Sequence, residues 1–244
     1  MKYFIGIDDT DNPTSRGTAH KARLLAEAMA AEQLCTLMSI TKHRHFKGIG
    51  IPSATENTSA CIEIKSSNLH PVISFCRNFL SATFEQGSNP AFCILPADIH
   101  DTELHHFGLL SKSACIDTAA ARALAEKKHL HCESITEAGY GIVGALGACA
   151  LRASGNDGRF IWLQGLPKFK TGIYTVIELQ IMLDIDRICL ENGVHVPERD
   201  SVFVPDQLIP LLREDKKTIF VEEVRNYNQY QWETLHASYL KSIA

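Results

Sequence analysis

The sequence lacks a strong charge of either sign, a long hydrophobic run and paired cysteines. Its 24 Lys and Arg against 28 Asp and Glu leave a formal net charge of −4 over 244 residues. That excludes a global attraction for nucleic acid, so any contact with RNA has to come from a local basic patch. No stretch approaches the roughly 20 apolar residues of a membrane-crossing helix. The opening MKYFIGIDDT has too short an apolar run for a secretory signal. The eight cysteines stand singly, at 35, 61, 76, 93, 115, 132, 149 and 189. They form no CxxC and mostly lie within apolar runs, so they read as small core residues of a reducing compartment and the chain as cytoplasmic. A disulfide frame and a zinc site are not expected. GxxxxGK[ST], which cradles phosphate in P-loop proteins, is absent, and so is the DxDxT of haloacid-dehalogenase phosphatases.

What is there is an interleaving of strand and helix signals. Residues 2–8 (KYFIGID) are apolar nearly throughout, as a central strand covered on both faces would be. Residues 18–33 place Ala22, Leu25, Ala26 and Met29 on one helical face. Strands are expected at 34–42, 60–66, 91–96, 129–135 and 159–164. Helices are expected at 70–83, 101–128 (split near 111–114) and 140–153. The pattern predicts an α/β or α+β fold, a mixed sheet with helices packed on it. The character changes at QGLPKFKTG (164–172). Residues 1–165 are therefore expected to form one layered domain, and 166–244 a smaller C-terminal α+β extension. In that extension a helix is expected at 173–183 and short strands over 200–224. An amphipathic tail helix would anchor through Tyr230, Leu235, Tyr239 and Leu240.

Three stretches carry candidate chemistry. The first is IGIDDTDNPTSRGT, residues 5–18, where Asp8, Asp9 and Asp11 crowd the end of an apolar strand. Carboxylates at a strand's C-terminal end, a glycine-bearing loop and a helix start together suit a metal–phosphate complex. Asp8, Asp9 and Asp11 are the candidate catalytic and metal residues, with Thr10, Gly17 and Thr18 beside the cofactor. A solvated, locally capped turn is the other reading. The second is GYGIVGALGACA, residues 139–150, a nearly bare helix face. Glycine inside a helix costs up to about 1 kcal/mol against alanine, so a close approach is implied. Either tight helix–sheet packing or a ligand at Gly141, Gly144, Ala145 and Gly147 would explain it. The spacing also fits GxGxxG, but no acid ends the next strand, which weakens a dinucleotide site. The third is the stretch 41–59, expected as a long loop. Lys42, His43, Arg44 and His45 are candidate substrate contacts there, and Asn57 and Ser59 candidate cofactor contacts.

GIDDTDNPTSRGT, then IPSATENTSACIEIK with NPAFCI, then GYGIVGALGACA occur in that order. Together they resemble the kinase-like N-terminal module of archaeal tRNA-isoleucine agmatinylcytidine synthetase and its stand-alone bacterial relatives, over residues 3–165. The resemblance implies ATP- and Mg²⁺-dependent phosphoryl transfer. It implies Asp8, Asp9 and Asp11 at Mg²⁺ and the nucleotide phosphates, and Gly141 to Gly147 close to the nucleotide. In the archaeal enzyme a threonine after the loop glycine becomes phosphorylated; here that position is His20, the fourth candidate catalytic residue. The family's OB-fold and zinc-ribbon parts have no counterpart in this sequence. The expected protein is thus an ATP-using phosphotransferase or ligase acting on a small-molecule or nucleoside-like substrate, possible as a homo-oligomer. It would contact tRNA only with another subunit. The alternatives are a non-catalytic nucleotide- or RNA-binding partner of a tRNA-modifying subunit and, behind it, a dinucleotide-dependent oxidoreductase.

Overall fold

A computed structural model describes residues 1–48, 57–224 and 229–244. The chain divides into two units, Met1–Ser154 and Gly155–Ala244. The break lies ahead of the composition change at 164–172, and the strand at Arg159–Trp162 belongs to the second unit.

The first unit holds β1 (Lys2–Asp8), α1 (Thr18–Ala31), β2 (Thr36–Arg44), β3 (Thr58–Lys65), α2 (Leu69–Thr83), β4 (Ala91–Pro96), α3 (Thr102–Ser113), α4 (Thr118–Lys127), β5 (His131–Ser134) and α5 (Gly141–Ala153). Its strands lie in the order β5–β4–β1–β3–β2, and every described pairing among them is antiparallel. A Rossmann dinucleotide fold requires parallel strands joined through a helix, so this topology overturns the dinucleotide-fingerprint reading of Gly139 to Gly144 on which the oxidoreductase alternative stood. β1 is central, with Phe4 to Asp8 buried.

Alternation along β1 divides the core. Phe4, Gly6 and Asp8 face α5, which packs with α3 and α4 around Leu104, Phe107, Ala145 and Leu146. Ile5 and Ile7 face the opposite side, where α1 lies on β2 and β3 and buries Ala22, Leu25, Ala26 and Met29 as expected. α5 sits unusually close to the sheet. A Cβ built on Gly6 would lie 2.0 Å from the Ala145 carbonyl oxygen, so only glycine fits at that position.

The cysteine expectation is corrected at one pair. Cys93 and Cys132 are cross-strand neighbours of β4 and β5, with Cα atoms 4.1 Å apart, and they are disulfide-bonded. Their separation of 39 residues conceals a pairing that strand register creates.

The second unit holds β6 (Arg159–Trp162), β7 (Gly172–Thr175), α6 (Val176–Leu183), β8 (Arg187–Cys189), β9 (Ser201–Val204), β10 (Leu211–Arg213), β11 (Lys216–Glu223), β12 (Trp232–Thr234) and α7 (Ala237–Ile243). Parallel pairs occur here, β11 with β8 and β12 with β9, among antiparallel ones. The orientations are mixed, and the α+β class holds for the chain. A strand opens the stretch expected as helix at 173–183, because Thr175 and Glu178 form a capping box that starts α6 at Val176. The tail forms β12 and the short α7. Leu240 is buried but Tyr239 is 43% exposed, so it is no anchor. The part of that tail at 225–228 lies outside the described residues.

Candidate functional site

β1 delivers Asp8 into the interior rather than into solvent. A Cβ on Gly144 would lie 1.9 Å from Asp8 Oδ2, so the carboxyl rests on the bare backbone of α5's first turns. Burial, then the charges of Asp9 and Asp11, push Asp8 well above the ordinary carboxylate range, against the pull of a hydrogen bond from the Asp9 N–H. The positive end of α5 offsets part of that cost. The strand stops there: Asp9 takes a left-handed conformation, φ 51°. Burial raises its pKa as well, while the backbone N–H and side-chain amide of Asn89 draw it back.

Beyond Asp9 the chain turns through Asn12 to Ser15, closed by the Asn12 N–H donating to Ser15 Oγ at 2.9 Å. Gly17, φ 85°, then starts α1. No side chain caps that helix and no acid lies in its first turn; the His20 and Lys21 N–H groups turn back to the Gly17 carbonyl, which leaves the positive end with the N–H groups of Thr18 and Ala19 to meet an anion. A cavity of about 330 Å³ opens at this point, lined by Thr10, Asp11, Arg16, Gly17, His20, Lys21 and Glu85 among others. Its wall thus combines three basic side chains with two carboxylates, Asp11 and Glu85. Lys21 Nζ donates to the Thr83 carbonyl and lies 3.6 Å from Glu85. Asn12 Nδ2 donates to the Gln86 carbonyl at 3.3 Å. The connection from α2 to β4 is therefore the second wall of the site.

Of the residues singled out by sequence, Thr10, Asp11, Gly17 and His20 line the cavity. Asp8, Asp9 and Thr18 lie behind it. The glycine helix serves packing: Gly141 abuts the Asn89 and Asp8 carbonyls, Gly144 the Asp8 side chain, and Gly147 the ring of His45 and Ser111. Ala145 is fully buried against Gly6. The expected loop at 41–59 is also corrected. Its ends are strand, since β2 runs to Arg44 and β3 starts at Thr58; its stretch 49–56 lies outside the described residues. His43 is fully buried with a ring nitrogen 2.8 Å from Thr41 Oγ1. His45 is buried between Ser59 at 2.5 Å and Ser111 at 3.0 Å. Asn57 donates to the Phe46 carbonyl at 2.9 Å. These groups serve the fold's interior, and Lys42 and Arg44 belong to the same strand. None of these residues lines the cavity at α1.

Sequence reading missed Asn89, Lys21, Arg16 and Glu85. Lys21 carried a signal, because a cation so near a helix's positive end is unfavourable without an anion to offset it. Asn89 carried a weaker one in the turn-forming GSNP that precedes β4.

The donor set also bears on magnesium. Among the described residues no three His, Cys, Asp or Glu side chains are grouped to hold a metal. Asp8 is turned into the interior, Asp9 is held by Asn89, and Asp11 alone of the three lines the cavity. One carboxylate still fits Mg²⁺, which commonly takes one or two carboxylates and completes its octahedron with phosphate oxygens and water.

The fold defines an α+β module with an acidic loop closing on a helix N-terminus. No model of a known protein family matches the chain, and no curated protein matches its sequence. Solved structures do match the fold. A tRNA fluorescent labeling enzyme superposes with a TM-score of 0.56 at 17% identity, covering 62% of this chain and 36% of that one. Apo TiaS, an agmatidine synthetase for an isoleucine tRNA, gives 0.54 at 18%, covering 62% and 35%. TiaS in complex with that tRNA, AMPCPP and agmatine gives 0.56 at 16%, covering 96% and 59%. The chain therefore has a TiaS-like fold and spans between about a third and three fifths of the length of these neighbours.

Proposed function

We propose that the chain is an ATP-using, Mg²⁺-dependent phosphoryl-transfer module, and that the cavity at the start of α1 receives the nucleotide's phosphates. The observation that carries this reading is the composition of that cavity: a free helix N-terminus, Arg16, His20 and Lys21 facing Asp11 across about 330 Å³. Phosphoryl transfer asks chiefly for positioning and charge neutralisation, and these groups offer both. The α1 N–H groups, Arg16, His20 and Lys21 hold phosphate oxygens. Asp11 holds Mg²⁺ together with those oxygens. Magnesium when bound neutralises phosphate charge. The TiaS-like fold supports the reading, since neighbours of that fold are complexes with ATP or AMPCPP and with tRNA. The acceptor is a small molecule or nucleoside-like group. With a net charge of −4, the chain contacts tRNA only jointly with a basic partner subunit.

Isothermal titration with ATP, with and without Mg²⁺, tests the assignment. Binding that strengthens with Mg²⁺ and falls about tenfold or more in Asp11→Ala is expected. No binding, or binding indifferent to Asp11→Ala, overturns it. Binding without turnover in the presence of candidate acceptors and partner subunits would favour a non-catalytic nucleotide-binding subunit.

A further inference from the structure

We infer that Thr18 is the positioning residue of this site: it fixes Asp11 and makes no ligand contact itself. The sequence expectation placed Thr18 against the cofactor, yet its side chain is not part of the cavity wall and the residue is only 4% exposed. Its hydroxyl is fully committed. A threonine hydroxyl has one proton to donate and two lone pairs to accept with. Thr18 Oγ1 donates to Asp11 Oδ1 at 2.5 Å. It accepts from Thr10 Oγ1 at 3.2 Å and from the Thr10 N–H at 3.5 Å. Thr10 borders the cavity but is itself fully buried, and the chain from Thr10 through Thr18 to Asp11 runs one way, toward a carboxylate. Such a chain polarises along its length and strengthens at its charged end.

A capping role does not account for this arrangement. Thr18 is the first residue of α1, its hydroxyl meets no helix N–H, and the helix has no side-chain cap. The hydrogen bonds hold one oxygen of Asp11 and leave the other for a ligand. That second oxygen, Oδ2, lies on the side of Gly17, 3.8 Å from where a Cβ would stand, and Gly17 itself lines the cavity. Thr18 thus removes Asp11's rotational freedom before a ligand arrives, which lowers the ordering cost of binding.

This inference rests on the reading of the cavity as a magnesium–nucleotide site, and its test separates the two. Thr18→Val keeps the shape and removes the hydroxyl; Thr18→Ser keeps the hydroxyl. Titrations of the full chain with ATP, in Mg²⁺ and in EDTA, should show Thr18→Val weakening the Mg²⁺-dependent affinity about tenfold. Affinity in EDTA should change by less than about twofold, and Thr18→Ser should restore the loss. In an Asp11→Asn background, Thr18→Val should add nothing. An equal loss with and without Mg²⁺, no rescue by serine, or an additive loss in the Asp11→Asn background overturns the assignment. Should Thr18→Val not fold, Thr18→Ala takes its place in the same comparison. If the unaltered protein binds no Mg²⁺–ATP, the reading of the cavity falls and a ligand-free crystal structure of the variant decides the role of Thr18. Asp11 leaving its rotamer supports it, and Asp11 unmoved overturns it.

Discussion

Two carboxylates in the first unit, one buried and one half-buried, respond to pH with opposite signs. Glu63 on β3 meets Arg152 and Ser39 Oγ, each at 2.8 Å, with Lys2 at 3.6 Å. Burial works to raise its pKa, but Arg152, Ser39 and Lys2 outweigh it and hold it below the ordinary 4.5. Its contribution is therefore complete above about pH 4.5 and is lost as the pH falls through the lower, folded value. Glu63→Gln should cost about 2 kcal/mol at neutral pH and flatten the acid limb of stability, measured by urea unfolding across pH. Asp8 behaves in reverse. Burial and its aspartate neighbours raise its folded pKa, so stability is greatest below the unfolded value near 3.8 and declines as the pH rises through the folded one. Asp8→Asn should remove that decline. A variant whose unfolding free energy keeps the original slope above pH 4 would refute this.

The helices and strands of the first unit were largely legible because their apolar periods are clean. The face of α1 at Ala22, Leu25, Ala26 and Met29 and the apolar run of β1 each follow from one-dimensional pattern. What was not legible depends on register or on turns. The cross-strand meeting of Cys93 with Cys132, the burial of His43 and His45, the hold of Asn89 on Asp9 and the wall supplied by Glu85 arise from neighbours distant in sequence. Lys42 to His45 look like a basic loop on composition alone, whereas β2 runs through Arg44 and turns both histidines inward. The acidic loop stood out as a candidate site, but the burial of Asp8 was hidden: strand alternation sends it to α5, while Asp11 lines the cavity. The glycines of α5 left two readings open, tight packing or a ligand, and the contacts they make are those of tight packing. Gly144→Ala should accordingly destabilise the first unit by about 2–3 kcal/mol through overpacking against Asp8, seen as a lower urea midpoint. An unchanged midpoint would mean that α5 can back away from β1.

The chain as a whole contains two independently cored units. The first centres on Phe4, Leu104, Phe107 and Leu146, the second on Leu179, Leu183, Val202, Val204 and Ile219, with a smaller cluster around Leu211, Phe220 and Leu240. Both tryptophans, Trp162 and Trp232, lie in the second unit. Tryptophan fluorescence therefore reports that unit, while far-ultraviolet circular dichroism reports both. In Gly144→Ala, part of the dichroism transition should move to lower urea while the fluorescence midpoint stays in place. Coincident shifts of both signals would mean that the units unfold together.

The contacts of Gly141 with the Asp8 carbonyl and of Gly6 with the Ala145 carbonyl have a mechanical consequence. With no side chain between them, the end of β1 and the start of α5 are seated backbone on backbone, and neither can move toward the other. They form a fixed jaw. The facing side, the exposed Pro13–Thr14 turn with Arg16, is joined chiefly by short-range hydrogen bonds within residues 12–15. The two sides thus differ in how they are held: the strand end by the fold's core, the turn chiefly by its own hydrogen bonds.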